Sequence, residues 1–159
     1  MKKLALLSML TVFALSCGTP KTVVETKKIL KGYWMLDNIS YSESGTFTVQ
    51  LLNDTSRECF EGSMWRFIPN NNTGKYTIDD SNCPTGERNF IFAIQEIDQA
   101  TGLYDFLLKP TDEKKRSADN KGFRLRLARM TGSNMVWEQT VSLEGKPFTI
   151  SMNFTKAQE

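Results

Sequence analysis

Turn-forming residues cut the stretch from Gly32 to Thr155 into short pieces, and this constrains the fold more than any other feature. The segments SESG, PNNNTG, DDSNCPTG, DQATG, MTGSN and LEGK supply the Gly, Asn, Asp and Pro that tight turns need. Between them lie nine runs of strand character: Tyr33–Tyr41, Thr46–Leu52, Ser63–Ile68, Lys75–Asp79, Arg88–Ile97, Leu103–Lys109, Gly122–Met130, Asn134–Leu143 and Pro147–Thr155. Helical periodicity is weak throughout. Strands in unbroken succession pair as an antiparallel up-and-down sheet, and closure into a barrel removes the exposed edges. The expected fold is all-β, a barrel of about eight or nine strands.

The later runs alternate most clearly. Phe148, Ile150, Met152 and Phe154 point one way, and Thr149, Ser151, Asn153 and Thr155 the other. Phe123, Leu125 and Leu127 oppose Arg124, Arg126 and Ala128, and Met135, Trp137, Val141 and Leu143 share one face of the next run. Each strand thus has one buried and one solvated face. An outer-membrane barrel reverses this, with apolar groups outward. Locally the strands fit either, but their charged, mostly short segments favour a barrel in water.

The N-terminus has a different character. MKKLALLSMLTVFALSC has two lysines, then an apolar run from Leu4 to Leu15, then the small Ser16. This is the layout of a secretory signal peptide, too short for a comfortable membrane span. A buried core helix is the competing reading of Leu4–Leu15, but nothing beside it supplies a cap. Ala14-Leu15-Ser16-Cys17-Gly18 resembles the lipobox of bacterial lipoproteins, although Ala14 stands where that family prefers Leu, Val or Ile. The resemblance implies cleavage before Cys17 and acylation of its sulfur and amine. Two or three acyl chains hold a protein on a bilayer, at about 0.8 kcal/mol per buried methylene. An ordinary signal cut near Ser16 would instead leave Cys17 free or disulfide-paired. The expected organisation is a signal peptide over 1–16, a lipidated tether over 17–30 and a barrel domain over 31–156.

The chain holds 20 Lys and Arg against 18 Asp and Glu. Losing Lys2 and Lys3 with the signal leaves 18 against 18, so a mature protein is close to neutral and carries no nucleic-acid signature. Lys27, Lys28 and Lys31 lie near the anchor, where lipid headgroups or plain solvent could face them. Histidine is absent, which removes His-based metal sites, Ser-His-Asp triads and Cys-His dyads. No dinucleotide fingerprint, phosphate-binding loop or CxxC is present. No cofactor or metal is expected. The carboxylates Asp79, Asp80, Glu58 and Glu61 fall in turns with no sign of a buried pair, so no catalytic residue is assigned.

An oxidising destination favours a disulfide between the two remaining cysteines, Cys59 and Cys83. It would close a loop of about 24 residues, worth on the order of 3 kcal/mol in the chain-entropy model. Two buried thiols are the alternative.

Gly32-Tyr33-Trp34 at the first strand resembles the GxW motif of lipocalins, with Lys28–Lys31 as the short turn before it. From ECFEGSMWRFIPNNNTGKYTI to LEGKPFTISMNF, the chain resembles the lipocalin-like lipoproteins of Bacteroidetes-type bacteria, over about residues 30–155. The resemblance implies that Trp34 packs at the closed end, under a basic residue of the last strand. Lys156 is the nearest such residue, and Arg124, Arg126 and Arg129 compete for the role. It also implies a small apolar ligand in the barrel, with Trp34, Val49, Phe92, Phe123, Leu125, Trp137, Ile150 and Met152 as candidate contacts. Those side chains could equally fill a small barrel. The chain would then be an envelope interaction or maintenance lipoprotein, using loops such as Thr111–Lys121. Either way the expectation is a non-enzymatic monomer. It would be exported and lipid-anchored to the bacterial outer membrane, on the periplasmic side, because no acidic run follows Cys17.

Overall fold

The computed structural model describes residues 21–98 and 103–158. Cys17 and the signal region lie outside them. The order of elements is α1 (Lys21–Leu30), β1 (Gly32–Tyr41), β2 (Gln50–Leu51), β3 (Thr55–Ser56), α2 (Arg57–Phe60), β4 (Met64–Ile68), β5 (Thr73–Ile78), β6 (Gly86–Asp98), β7 (Leu103–Thr111), β8 (Phe123–Met130), β9 (Asn134–Leu143) and β10 (Lys146–Lys156).

Eight strands close the barrel in the cyclic order β1-β10-β9-β8-β7-β6-β5-β4, every pair antiparallel. The expected all-β up-and-down barrel is what forms. One of the nine expected strands does not join it. Thr46–Leu52 lies in the long β1–β4 connection, where only Gln50–Leu51 pairs, with Thr55–Ser56. The alternation of Phe47, Val49 and Leu51 mimics a strand, but Leu52 and Asn53 both take left-handed backbone (φ 51° and 56°) and turn the chain back. Asp54 N–H donates to the Leu51 carbonyl at 2.8 Å and closes that turn.

The strands sort their side chains by period two. Buried members are Trp34, Leu36 and Ile39 on β1, Trp65 and Phe67 on β4, Phe90 and Phe92 on β6, and Phe106 and Leu108 on β7. Leu125, Leu127, Met135, Trp137, Phe148, Ile150, Met152 and Phe154 follow on β8 to β10. Apolar groups point in and polar groups out, the reverse of a membrane barrel. A register shift between Leu36 and Asn38 lets both Leu36 and Ile39 face inward. Val141 and Leu143 break the expected pattern: they are about two-fifths exposed, on the part of the β9–β10 hairpin nearest its tip.

Gly74 is required by packing. A Cβ there would lie 2.3 Å from the Phe90 ring and 2.7 Å from the Arg66 carbonyl oxygen, so the missing side chain makes room for the ring of its cross-strand partner.

The stretch expected to be a tether holds α1. Val23, Thr26 and Leu30 recur at helical spacing and are buried, while Lys21, Val24, Glu25 and Lys28 face outward. Tertiary contact at one end of the barrel stabilises a helix too short to persist alone.

Candidate functional site

Two ends of the barrel could act on a partner, together with the lumen between them. The closed end gathers the start of β1, the β4–β5 turn, the β8–β9 turn and the end of β10, with α1 lying across it. Trp34 is fully buried there, and its Nε1–H donates to the Leu30 carbonyl at 2.9 Å. Lys156 Nζ lies 4.9 Å from the centre of the Trp34 ring. It donates to the Ile29 carbonyl, and to that of Lys31 at 2.8 Å. A cation thus sits on an aromatic face and on carbonyls at the C-terminal end of α1, where the helix dipole is negative. Of the four basic candidates, Lys156 is the partner of Trp34. Lys27 Nζ reaches Asn72 Oδ1 in the β4–β5 turn at 2.8 Å and ties the helix to the barrel rim.

The lumen is lined with aromatic rings. Trp65 on β4 stacks on Tyr76 with centroids 4.5 Å apart. Trp137 on β9 meets Trp65 at 5.9 Å, Phe67 at 5.4 Å, Phe106 at 5.4 Å and Phe154 at 5.3 Å. β4 and β9 are three strands apart around the ring, so rings from nearly opposite walls touch across the barrel axis. Trp65 Nε1–H donates to Ser63 Oγ at 2.9 Å. Trp137 Nε1–H is buried, with no hydrogen-bond acceptor among the described residues.

The mouth is covered by the β1–β4 connection. Phe60 of α2 is fully buried and lies 5.3 Å from Tyr76 and 6.2 Å from Trp65, so the lid inserts a ring onto the lumen stack. Leu51 and Leu52 are buried beside it. Burial of Leu52 offsets the strain of its left-handed backbone. The disulfide forms between Cys59 and Cys83, with Cα atoms 5.6 Å apart, and fastens α2 to the β5–β6 loop. A third tie is polar. Asp54 Oδ2 accepts from Tyr76 Oη at 2.8 Å and from Arg88 Nε at 2.9 Å. Burial first, then the Asp54 carboxylate, pushes the Tyr76 phenol far above its ordinary pKa, so it stays a donor.

The candidate ligand contacts separate on this geometry. Phe92, Leu125, Trp137, Ile150 and Met152 are buried lumen residues. Trp34 belongs to the closed-end clamp. Val49 is half-buried on the lid and is not on a barrel strand. Phe123 is half-buried at the mouth, where with Leu52 it lines an open cleft of about 630 Å³ between the lid and the β7–β8 loop. Two ion pairs lie on that loop: Arg116 pairs with Asp112 at 2.8 Å and Lys121 with Asp119 at 3.5 Å. Hydrogen bonds from the backbone N–H groups of Arg116 and Lys121 are the main reason both aspartates titrate below the usual carboxylate range.

Sequence reasoning did not assign Asp54, Arg88, Tyr76 or Phe60. Asn53-Asp54 was the available turn signal, but the reach of Asp54 to β5 and β6 depends on the fold.

No family model, curated protein or solved structure matches this chain. The eight-stranded barrel is consistent with a lipocalin-like protein.

Proposed function

We propose that this chain is an exported, lipid-anchored, non-enzymatic envelope protein whose lipocalin-like barrel is a filled scaffold that meets its partners on its outer surface. One observation carries the filled-barrel reading: rings of β4 and β9 touch across the axis, with Trp137 5.4 Å from Phe67 and 5.9 Å from Trp65. An acyl chain entering there would have to displace aromatic side chains whose burial stabilises the fold by several kcal/mol each. The lid reinforces this reading, since Phe60 inserts from the mouth and a disulfide holds it. The lipobox-like Ala14–Gly18 and the signal-like run before it support export and the anchor at Cys17.

The test uses the full chain expressed in a bacterium fed labelled palmitate. Wild-type protein takes up label and partitions into detergent, and Cys17→Ser loses both. Equal labelling of the variant contradicts the anchor. Native mass spectrometry of the mature protein tests the scaffold: a stoichiometric apolar passenger contradicts it.

A second reading rests on Trp137 Nε1–H, a buried donor with no acceptor among the described residues. A small apolar ligand carrying one acceptor oxygen would satisfy it. Titration with a fatty acid then shifts tryptophan emission in a saturable way, and an unchanged spectrum removes this reading.

A further inference from the structure

We infer that the closed end of the barrel faces the membrane and that the outward face of α1 docks on an anionic lipid surface. This deepens the lipid-anchor reading and rests on it. The reach of the chain sets the orientation. Lys21 opens α1 only four residues after Cys17. Four residues span at most about 14 Å. The first turn of α1 is therefore held near the bilayer, and α1 is bound to the closed end through Lys27, Leu30, Lys156 and Trp34. β1, of ten residues, leads from there to the mouth. At about 3.3 Å per residue, less the tilt of barrel strands, the mouth lies some 25 Å further out.

Charge supplies the second argument. Lys21 and Lys28 are exposed on α1, Lys31 is exposed just beyond it, and Glu25 is the one acid of the helix. Val24 (42% exposed) shares that face, and Met35 (41%) is exposed on the adjoining strand. The opposite face, Val23, Thr26 and Leu30, does the packing, so the lysines are free of any role in the core. Basic side chains around exposed apolar ones suit a surface of anionic headgroups. The lid and the β5–β6 loop instead present Glu43, Glu58, Asp79 and Asp80. At the mouth Arg116 and Lys121 are paired with Asp112 and Asp119, and Lys114, Lys115 and Lys146 are also exposed there, so the reach from Cys17 sets the orientation and the charge of α1 adds to it.

The experiment uses full-length lipidated protein in phosphatidylcholine vesicles, with and without phosphatidylglycerol, containing a headgroup-nitroxide lipid. A fluorophore is placed at Gly132→Cys on the closed end, where a new side chain meets nothing within 4 Å, or at Lys114→Cys on the exposed loop at the mouth. Quenching at 132 should exceed that at 114 severalfold, and more so with phosphatidylglycerol. The triple change K21E/K28E/K31E should cut the phosphatidylglycerol-dependent gain at least twofold while circular dichroism stays unchanged. Equal quenching at the two sites, or stronger quenching at 114, overturns the orientation. A gain untouched by the triple change overturns the lysine contact. If wild-type protein joins the vesicles and Cys17→Ser does not, the anchor stands whatever the quenching shows. If it fails to join them at all, the anchor fails, and with it this inference.

Discussion

The two ends of this barrel are closed by different means. At the closed end, a short helix, an indole and one lysine form a clamp from segments that are adjacent in space because β1 pairs with β10, with Trp34 opposite Lys156. At the mouth, an irregular lid spans from β1 to β4 and is fastened by a disulfide, a buried ring and a carboxylate shared by Tyr76 and Arg88. The clamp needs only regular elements. The lid has little regular hydrogen bonding of its own, so covalent and polar ties substitute for it. The closed end should therefore fail only with the whole fold, whereas the mouth can open on its own.

Trp34→Ala tests the first half of that contrast. It empties a fully buried site and strands Lys156 without its ring, so the expected loss is about 3–5 kcal/mol. Urea unfolding should remain a single transition shifted to lower midpoint. A selective loosening of the mouth would break the comparison.

Reducing Cys59–Cys83 should cost about 3 kcal/mol, and it should act locally. Hydrogen exchange in the lid, residues 42–63, should accelerate well before that of β9 and β10. Uniform acceleration would mean that the lid and barrel unfold as one unit.

Tyr76→Phe removes a hydrogen bond to a carboxylate and should cost about 1.5–3 kcal/mol at neutral pH. The folded phenol titrates above its unfolded value of 10.0. Its contribution is therefore complete below that pH and is lost as pH rises beyond it. Wild type should lose stability above pH 10 more steeply than the variant. Parallel curves would show that burial and the Asp54 carboxylate do not hold the phenol protonated.

The same contrast explains what was legible in the sequence. The alternation of Phe148, Ile150, Met152 and Phe154 gave β10 its inward face, because period two needs only one strand and one core. Cys59 and Cys83 could be paired once an oxidising address was inferred. Gly32-Tyr33-Trp34 located the closed end through a resemblance, and the partner of Trp34 followed only when β10 was seen beside β1. The lid was misread because Phe47, Val49 and Leu51 alternate like a strand, while the left-handed turn at Leu52 and Asn53 is invisible to periodicity. Helix α1 was missed for the opposite reason. Its apolar stripe is only Val23 and Leu30 with Thr26 between them, which is too thin to stand out among lysines and threonines. Whether Trp137 and Met152 line a cavity or fill it depends on how far apart the walls stand, and no single strand encodes that distance.

The central claim, a filled lumen, is tested most directly by the stability of Met152→Ala, measured alongside fatty-acid binding to wild type. Met152 is buried on β10, opposite Ile39 on one side and Trp137 on the other. In a filled barrel the truncation leaves a void, and the expected loss is about 2–5 kcal/mol, with no saturable fatty-acid binding by wild type. A loss below about 1 kcal/mol, together with wild-type binding that the substitution weakens, would contradict the account and make the lumen a ligand site.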